Sequence, residues 1–217
     1  RERGYLPEGL VNYLALVGWA PETNEEILGM DELINQFSFV RVSKSGGVFD
    51  QEKLDWVNAH YIKDMTIEDL AEAIKPYLVE ASYIDENISK EKLELIAKTF
   101  QESIHKFSEI VEQSEFLFVD KIVITEEDAK EMASGEQVPA LVEAFKAELG
   151  EVEEVDEEFA KKVMKKIQKA TGVKGKNLYM PVRAMLTGNV HGPELVDVIQ
   201  ILGKDEIINR LDTFELK

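Results

Sequence analysis

Residues 161–192 read KKVMKKIQKATGVKGKNLYMPVRAMLTGNVHG, two helical patterns on either side of a glycine-containing turn. In the first pattern, pairs of lysines alternate with apolar residues at the spacing of an amphipathic helix, and Val163, Met164 and Ile167 fall on the side that would face a core. The second pattern has Pro181, which suits the first turn of a helix, and Gly188, which suits its end. The stretch therefore predicts two helices joined by a short turn.

The same stretch is basic, although the chain as a whole is acidic. It holds eight Lys and Arg residues and no Asp or Glu, whereas all 217 residues together have 43 acids against 25 bases and a net charge of −18. The rest of the chain sets 43 acids against 17 bases, a net charge of −26. Because Lys and Arg supply most of the affinity of proteins for nucleic acids, the pattern favours one surface for a polyphosphate on a molecule that otherwise repels it. A solvated helix face with an uneven charge pattern is the alternative.

Composition narrows the class of protein. The chain has no cysteine, which excludes disulfides and thiolate metal sites, and 44% of its residues are hydrophobic, which is enough for a core. No apolar run approaches the roughly 20 residues that span a bilayer. The first residues, Arg1 to Tyr5, lack the apolar centre of a signal peptide and no initiator Met precedes them. We therefore expect an internal piece of a longer protein.

Helix signals dominate the remainder of the chain. Leu10, Tyr13 and Val17 follow Pro7 at helical spacing, and residues 89–115 predict one long helix or two broken ones. Three N-terminal capping boxes and one simple cap are expected at Thr23 with Glu26, Thr66 with Asp69, Thr125 with Asp128, and Asp50.

Strand signals are few. Residues 38–42 and 47–49 flank Ser43-Lys44-Ser45-Gly46, which predicts a short hairpin or an irregular loop, and Phe116 to Ile124 is a second extended candidate. The prediction is a mainly α fold with a short hairpin, divided into three subdomains at 1–65, 66–134 and 135–217.

The sequence contains no motif that is typical of a catalytic or a metal-binding site. The three histidines, His60, His105 and His191, have no partners at metal-ligand spacing. Residues 171–177 look like a phosphate loop, but Asn177 stands where a Ser or Thr should hold magnesium. There is no Gly-x-Ser-x-Gly elbow either. We expect no catalytic, cofactor-binding or metal-binding residues in this chain.

Not every cation of the basic stretch is expected to be free. Glu157 with Lys161 and Glu158 with Lys162 have the i, i+4 spacing of helical ion pairs, so these two lysines are discounted as anion contacts. Arg183 suits a phosphate or a base edge, and a structural ion pair with an upstream acid is the alternative.

Three separated motifs carry a resemblance to a known family. Residues 4–19 (GYLPEGLVNYLALVGW), 49–58 (FDQEKLDWVN) and 179–188 (YMPVRAMLTG), the last followed by His191-Gly192-Pro193-Glu194-Leu195 and Leu202-Gly203-Lys204, occur in this order over essentially the whole chain. In this they resemble the part of bacterial glutamyl-tRNA synthetases that follows the catalytic domain. The family's His-Ile-Gly-His-like and Lys-Met-Ser-Lys-like motifs are not in this sequence.

The resemblance implies a stem-contact helical subdomain followed by an α-helical cage that binds the anticodon. A longer parent would join glutamate to tRNA with ATP and magnesium, whereas this chain would hold neither and would not catalyse. The implied partners are tRNA(Glu) and a catalytic domain in cis, with no DNA and no membrane, in a cytoplasmic monomer.

The site residues follow from the resemblance and the charge pattern together. The expected contacts with phosphates and bases are Arg183, Lys174, Lys176, Asn177, Lys169 and Lys165. Arg41 and Lys44 are expected in the stem-contact part, and His105 and Lys106 near the helix at 100–110, where the family places base-reading residues. A helical protein–protein interaction module with acidic faces is the competing hypothesis, and a small carboxylate-based hydrolase is disfavoured because no nucleophile or metal constellation is present.

Overall fold

The computed structural model of the chain describes residues 3–44 and 46–217, and it is built almost entirely of helices. The described residues form eleven α-helices, two 3₁₀ helices and two short strands. The α-helices are α1 (Pro7–Leu16), α2 (Met30–Gln36), α3 (Gln51–Lys63), α4 (Ile67–Glu80), α5 (Lys90–Phe100), α6 (Glu109–Ser114), α7 (Glu127–Ala133), α8 (Val138–Gly150), α9 (Glu157–Thr171), α10 (Lys176–Thr187) and α11 (Leu195–Thr213). The 3₁₀ helices are Phe39–Arg41 and Glu115–Leu117, and the strands are β1 (Val123–Ile124) and β2 (Glu215–Leu216). The prediction of a mainly α fold is confirmed.

The chain folds as two compact units, Arg1–Gln113 and Ser114–Lys217. Each unit has its own buried apolar residues and is described by itself. The division into three subdomains at 65/66 and 134/135 stays a prediction.

Two of the predicted helix caps are present. Asp50 accepts a hydrogen bond from the Lys53 N–H (3.0 Å) at the start of α3, and Thr66 accepts one from the Asp69 N–H (3.1 Å) at the start of α4. Each bond pairs a backbone donor that the first turn of a helix leaves free.

The capping boxes expected at Thr23 and Thr125 are wrong. No helix follows Thr23, because the side chain of Asn12 takes the carbonyl of Glu26 (3.0 Å) and the N–H of Leu28 (2.9 Å), the backbone groups that a helix would have paired. At the second box, α7 begins one residue late, with Glu126 as its N-cap and no capping bond from a side chain.

Of the two alternatives predicted around residues 43–46, the short hairpin is wrong and the described residues form an irregular loop; Ser45 lies outside the described residues. Residues 39–41 form a 3₁₀ helix, in which Ser38 Oγ accepts from the Val40 N–H (3.3 Å). Val42 forms an isolated antiparallel bridge with Trp19 instead of pairing with residues 47–49. Gly47 packs against Val17, with space for no Cβ beside the Val17 carbonyl. The loop is therefore held by the end of α1, and it does not fold back on itself.

Buried asparagines join the elements of the first unit. Asn58 on α3 accepts a hydrogen bond from the Leu6 N–H (2.9 Å) and donates one to the His105 carbonyl (2.6 Å). Gly9 faces this side chain, and a Cβ at Gly9 would lie 2.7 Å from the Asn58 oxygen. A buried amide thus sets the positions of α1, α3 and the segment before α6 at once.

In the second unit α10 begins earlier than predicted. It starts at Lys176, so Pro181 lies inside the helix and not in its first turn. Pro181 has no N–H for the carbonyl of Asn177 four residues before it. That carbonyl accepts a weak hydrogen bond from Gln137 Nε2 (3.4 Å), which offsets the loss. The prediction that Gly188 ends the helix is confirmed, with a left-handed φ of 82°.

The C-terminal residues close the second unit. Of the predicted extended segment at 116–124, the described structure forms a strand over its last two residues, β1, which pairs in parallel with β2 near the end of the chain. The fully buried Arg210 of α11 donates to the carbonyls of Leu186 (2.6 Å), Phe116 (2.8 Å) and Leu117 (3.1 Å). One guanidinium thus joins α11, the end of α10 and the 3₁₀ helix. Among the described residues, no helix has the length and apolar character that crossing a membrane requires.

Candidate nucleic-acid interface

Four lysines of the second unit have no acidic or carbonyl partner. Every residue of this unit is described, and its other cations are held by carboxylates or by backbone carbonyls. The four that remain are Lys165, Lys169, Lys174 and Lys176, all exposed and all within twelve residues of sequence. Cations without internal partners are the ones that can neutralise a phosphate at no loss to the fold.

The neighbouring lysines of α9 are engaged, as their spacing predicts. Lys161 pairs with Glu157, and Lys162 pairs with Glu158 at 2.5 Å. Lys166 pairs with Glu148 of α8 at 2.7 Å, a contact that the local sequence did not indicate. The prediction that Lys161 and Lys162 are partnered is confirmed.

The turn between α9 and α10 joins two helix ends of opposite character. α9 ends at Thr171, and its C-cap Gly172 has a left-handed φ of 73°. Lys169 lies in the last turn of α9, beside the negative end of the helix. α10 begins after Gly175 with no side-chain cap and no acid in its first turn, and Lys176 is its first residue. Acidic residues are common at the N-terminal end of a helix, where the helix dipole is positive. Lys176 instead adds positive charge at this end of α10, and no acid in the first turn offsets it. The free N–H groups at the start of α10 and the ammonium groups of Lys174 and Lys176 make this turn suited to binding an anion.

Asn177 lies beside this turn on the first turn of α10, and it is exposed. Its carbonyl accepts from Gln137, and no bond of its side chain amide is formed within the described residues. The amide is therefore available to a ligand at the basic turn.

Arg183 lies elsewhere on α10 and is partly engaged. Its Nη1 donates to the carbonyl of Pro193 at 2.5 Å, so it holds the loop that follows α10. Burial lowers the pKa of its guanidinium, and the charge of Glu194 raises it in part. The partner is a downstream carbonyl and not the upstream acid of the alternative interpretation. A role of Arg183 in binding RNA stays a prediction.

In the first unit, Arg41 and Lys44 have different surroundings. Arg41 donates to the carbonyls of Ala20 (2.7 Å) and Pro21 (2.8 Å), which fixes its guanidinium on the segment after α1. Lys44 is exposed and has no partner in the described part of the chain. Of the two, Lys44 is free to bind an anion.

His105 and Lys106 share one acid, Glu109. The carboxylate accepts from the His105 N–H (2.7 Å) and from Lys106 Nζ (2.6 Å), and His105 Nδ1 lies 3.2 Å away. Burial raises the pKa of Glu109, but the hydrogen bonds from Lys106 and His105 outweigh burial and hold this pKa below its ordinary value. Glu109 is not among the predicted site residues, although its i, i+3 and i, i+4 spacings from these cations are the signal that reveals it.

A cleft of about 380 Å³ in the first unit contains both described histidines of that unit. Trp56, His60, Lys63, Glu102 and His105 are among its lining residues. The ring of His60 packs on Trp56, with 4.4 Å between centroids. Over residues 3–44 and 46–217, no group of three or more His, Asp or Glu side chains is placed to hold a metal ion.

Comparison with known proteins gives two family matches. A sequence model described as the anticodon binding domain matches residues 69–214, which is more than half of the chain. A model described as the catalytic domain of class I tRNA synthetases (E and Q) matches residues 1–56.

Curated relatives and solved structures agree with these matches. A glutamate–tRNA ligase of Finegoldia magna is 51% identical over 212 residues, covering 98% of this chain and 43% of the relative. One of Clostridioides difficile is 44% identical over 214 residues, with 97% and 43% covered. The crystal structure of a glutamate tRNA ligase from Elizabethkingia meningosepticum superimposes with a TM-score of 0.83 at 29% identity, covering 96% of this chain and 41% of that one. The chain therefore spans less than half the length of the relatives it matches.

Proposed function

The chain belongs to the anticodon-binding domain family, and on this premise we propose that it is the tRNA-recognition part of a glutamate–tRNA ligase. The whole protein would join glutamate to tRNA(Glu) with ATP and magnesium, and this part would bind the anticodon region and the inside of the tRNA. The names of the relatives and the match of residues 1–56 to a class I catalytic domain support the proposal.

The observation that carries the proposal is the group of four unpartnered lysines around the turn between α9 and α10. In a chain of net charge −18, an approaching polyanion is repelled except within a Debye length of a local positive surface, about 8–10 Å. Lys165, Lys169, Lys174 and Lys176 supply that surface, and Asn177 adds an amide that can read a base edge.

The mechanism is positional. The anticodon end would dock on the helical region, whose predicted parts are residues 66–134 and 135–217. The stem-contact part, residues 1–65, would hold the tRNA through Lys44 and Arg41. Splayed bases of a single-stranded loop can be stacked and read on their edges, and Arg183, His105 and Lys106 are the further candidates for such contacts. Docking at both places would orient the acceptor end toward the catalytic domain.

ATP and magnesium belong to the catalytic domain in this proposal. We assign no step of the ligation to the residues of this chain. The proposal also places the protein in the cytoplasm as a monomer, with tRNA(Glu) and the catalytic domain in cis as its partners.

Salt dependence of RNA binding tests the proposal. Four neutralised phosphates should give a slope of about −3 to −4 for log K against log salt when a tRNA(Glu) anticodon stem-loop is titrated at low to moderate salt. Replacing Lys165, Lys169, Lys174 and Lys176 with Ala should abolish most of the binding. The matched control is Lys161→Ala with Lys162→Ala, on the same helix but paired with Glu157 and Glu158; it should change the slope little.

A flat salt response would contradict the proposal and favour an acidic interaction module instead. If the quadruple variant and the control lose equal RNA-binding affinity, the assignment of binding to the unpartnered lysines is contradicted.

A further inference from the structure

One exposed aromatic ring of this protein has no aromatic or cationic neighbour within the described residues. Five Phe, Trp and Tyr side chains are exposed there, and four of them contact another ring, namely Phe37, Phe39, Phe49 and Trp56. The fifth is Tyr179 of α10, which is 43% exposed. No ring or ammonium group of the described chain lies against it, and its hydroxyl forms no hydrogen bond there. The ring is therefore free to take a flat group of a ligand.

Tyr179 lies between two cations on one face of α10. Lys176, Tyr179 and Arg183 are three and four residues apart, the spacing that places side chains on the same side of a helix. At a rise of about 1.5 Å per residue, Lys176 lies about 4.5 Å before the tyrosine along the helix axis and Arg183 about 6 Å after it. Lys176 has no acidic or carbonyl partner in the described structure, and Arg183 is held by the carbonyl of Pro193. The ring is thus flanked by positive charge on both sides.

The charge around this ring favours RNA as its ligand. α10 contains no Asp or Glu, so no carboxylate of its own helix repels a phosphate near Tyr179. Lys174, which also has no partner in the described structure, precedes the helix by two residues. Single-stranded nucleic acid is bound by this combination, a positive track for its backbone and an aromatic ring for a base.

A contact with another protein is the competing interpretation, and the surface fits it less well. The other large apolar side chains that are exposed in the second unit, Val123 and Leu216, lie outside α10. The core of a protein–protein interface is depleted of charge and combines several apolar side chains. A single ring between cations lacks that composition.

We propose that Tyr179 stacks against one unpaired base of the RNA whose phosphates the unpartnered lysines neutralise. The inference rests on the proposed function for the presence of that RNA. Every base has a π face, so the tyrosine ring fixes where the base lies but does not distinguish one base from another. Tyr179 therefore contributes affinity and holds one loop nucleotide in register, while Lys176 neutralises a phosphate beside it.

Removing the ring without removing a charge tests the inference. Tyr179→Ala should weaken binding of a tRNA(Glu) anticodon stem-loop about 5- to 150-fold, which corresponds to the loss of one base–aromatic stack. The slope of log K against log salt should stay that of the wild type, because no cation is lost. Tyr179→Phe keeps the ring and should bind within about twofold of the wild type. Leu216→Ala, a change at a side chain of similar exposure (45%) outside α10, is the control and should bind as the wild type does.

An abasic nucleotide identifies the base. Each loop position of the stem-loop is made abasic in turn, and every RNA is titrated with the wild type and with Tyr179→Ala. At one position the two losses should not add, because either change alone already removes the stack. At the other positions the losses should add. Circular dichroism of the variants checks that each keeps its helices.

Four results would overturn the inference. If the wild type binds the stem-loop with the expected salt slope but Tyr179→Ala binds as tightly, this inference fails and the proposed function stands. If the losses add at every loop position, Tyr179 contacts no base. If Tyr179→Phe loses as much affinity as Tyr179→Ala, the hydroxyl and not the ring makes the contact. Self-association of the chain in sedimentation velocity that Tyr179→Ala abolishes, with RNA binding unchanged, identifies a protein contact instead. A wild type that does not bind the stem-loop at all removes the proposed function, and this inference with it.

Discussion

At the scale of single residues, the availability of a cation depends on what else holds it. Lys174 and Lys106 are equally basic in the sequence, but the described structure offers Lys174 no partner and gives Lys106 the carboxylate of Glu109 at 2.6 Å. The partly buried ion pair between Lys106 and Glu109 must be broken before Lys106 can bind a phosphate. We therefore expect Lys174 to contribute more to RNA binding than Lys106.

Glu109 makes a testable contribution to stability. Its pKa is held below the ordinary value of 4.5, so its ionised form stabilises the fold at neutral pH. This contribution is present in full above pH 4.5 and is lost as pH falls through the lower, folded-state pKa. Glu109→Gln should cost about 1.5–3 kcal/mol at pH 7, the range for hydrogen bonds to a charged group. Urea unfolding at several pH values should show the wild type and the variant converging below pH 4.5; a constant difference would contradict this account.

At the scale of elements, the ends of α10 are set by backbone geometry. Gly188 ends the helix in the left-handed region with φ 82°, and nothing lies closer than 3.7 Å to a Cβ placed there. The strain of an L residue at this φ is therefore the main cost of a substitution. Gly150, at the end of α8, has no positive φ, and a Cβ added to it would meet no other atom within 4 Å.

These two glycines should respond to alanine with opposite signs. Gly188→Ala is expected to cost about 1–2 kcal/mol because of the left-handed conformation. Gly150→Ala is expected to raise stability by about 0.4–1 kcal/mol, because it restricts the unfolded chain and fits the helix. Chemical denaturation of both variants checks this, and a destabilised Gly150→Ala would show that the two helix ends are not distinguished by their φ angles.

At the scale of the whole molecule, the two units differ in whether they contain tryptophan. Both tryptophans of the sequence, Trp19 and Trp56, lie in the first unit. Arg210, the buried guanidinium of the second unit, pairs with Glu206 and with three backbone carbonyls. Damage to Arg210 therefore acts on a unit that tryptophan fluorescence does not report.

Arg210→Met should destabilise the second unit by about 3–5 kcal/mol, the cost of breaking a buried charge pair by removing one partner. Thermal unfolding followed by helical circular dichroism should show an early transition, while tryptophan fluorescence keeps its wild-type midpoint. A shift of both signals together would mean that the two units unfold as one. Lys121→Ala, which removes the exposed pair with Glu215, is the control and should cost less than about 1 kcal/mol.

Local pattern was sufficient for much of the fold. Periodicity predicted the helix that follows Pro7, which the structure has as Pro7–Leu16, and the caps at Asp50 and Thr66 needed nothing beyond their own first turns. The cap at Thr23 failed for the opposite reason. At Thr23 the competing bonds come from Asn12, more than ten residues away, and no local pattern contains them.

Three features could be predicted from the sequence alone: a mainly α chain, the i, i+4 ion pairs of Lys161 and Lys162, and a basic stretch in an acidic molecule. Each of them depends only on residues that are close together in the sequence. Packing between elements selects which of these charges stay free. Lys166 is engaged because α8 brings Glu148 to it, Arg183 because the loop after α10 returns to it, and Lys165 and Lys169 stay free because no acid reaches them in the described structure. The physical reason is that an ion pair depends on a distance of a few ångströms between residues, which for distant parts of the chain is set by the tertiary fold and not by their order in the sequence.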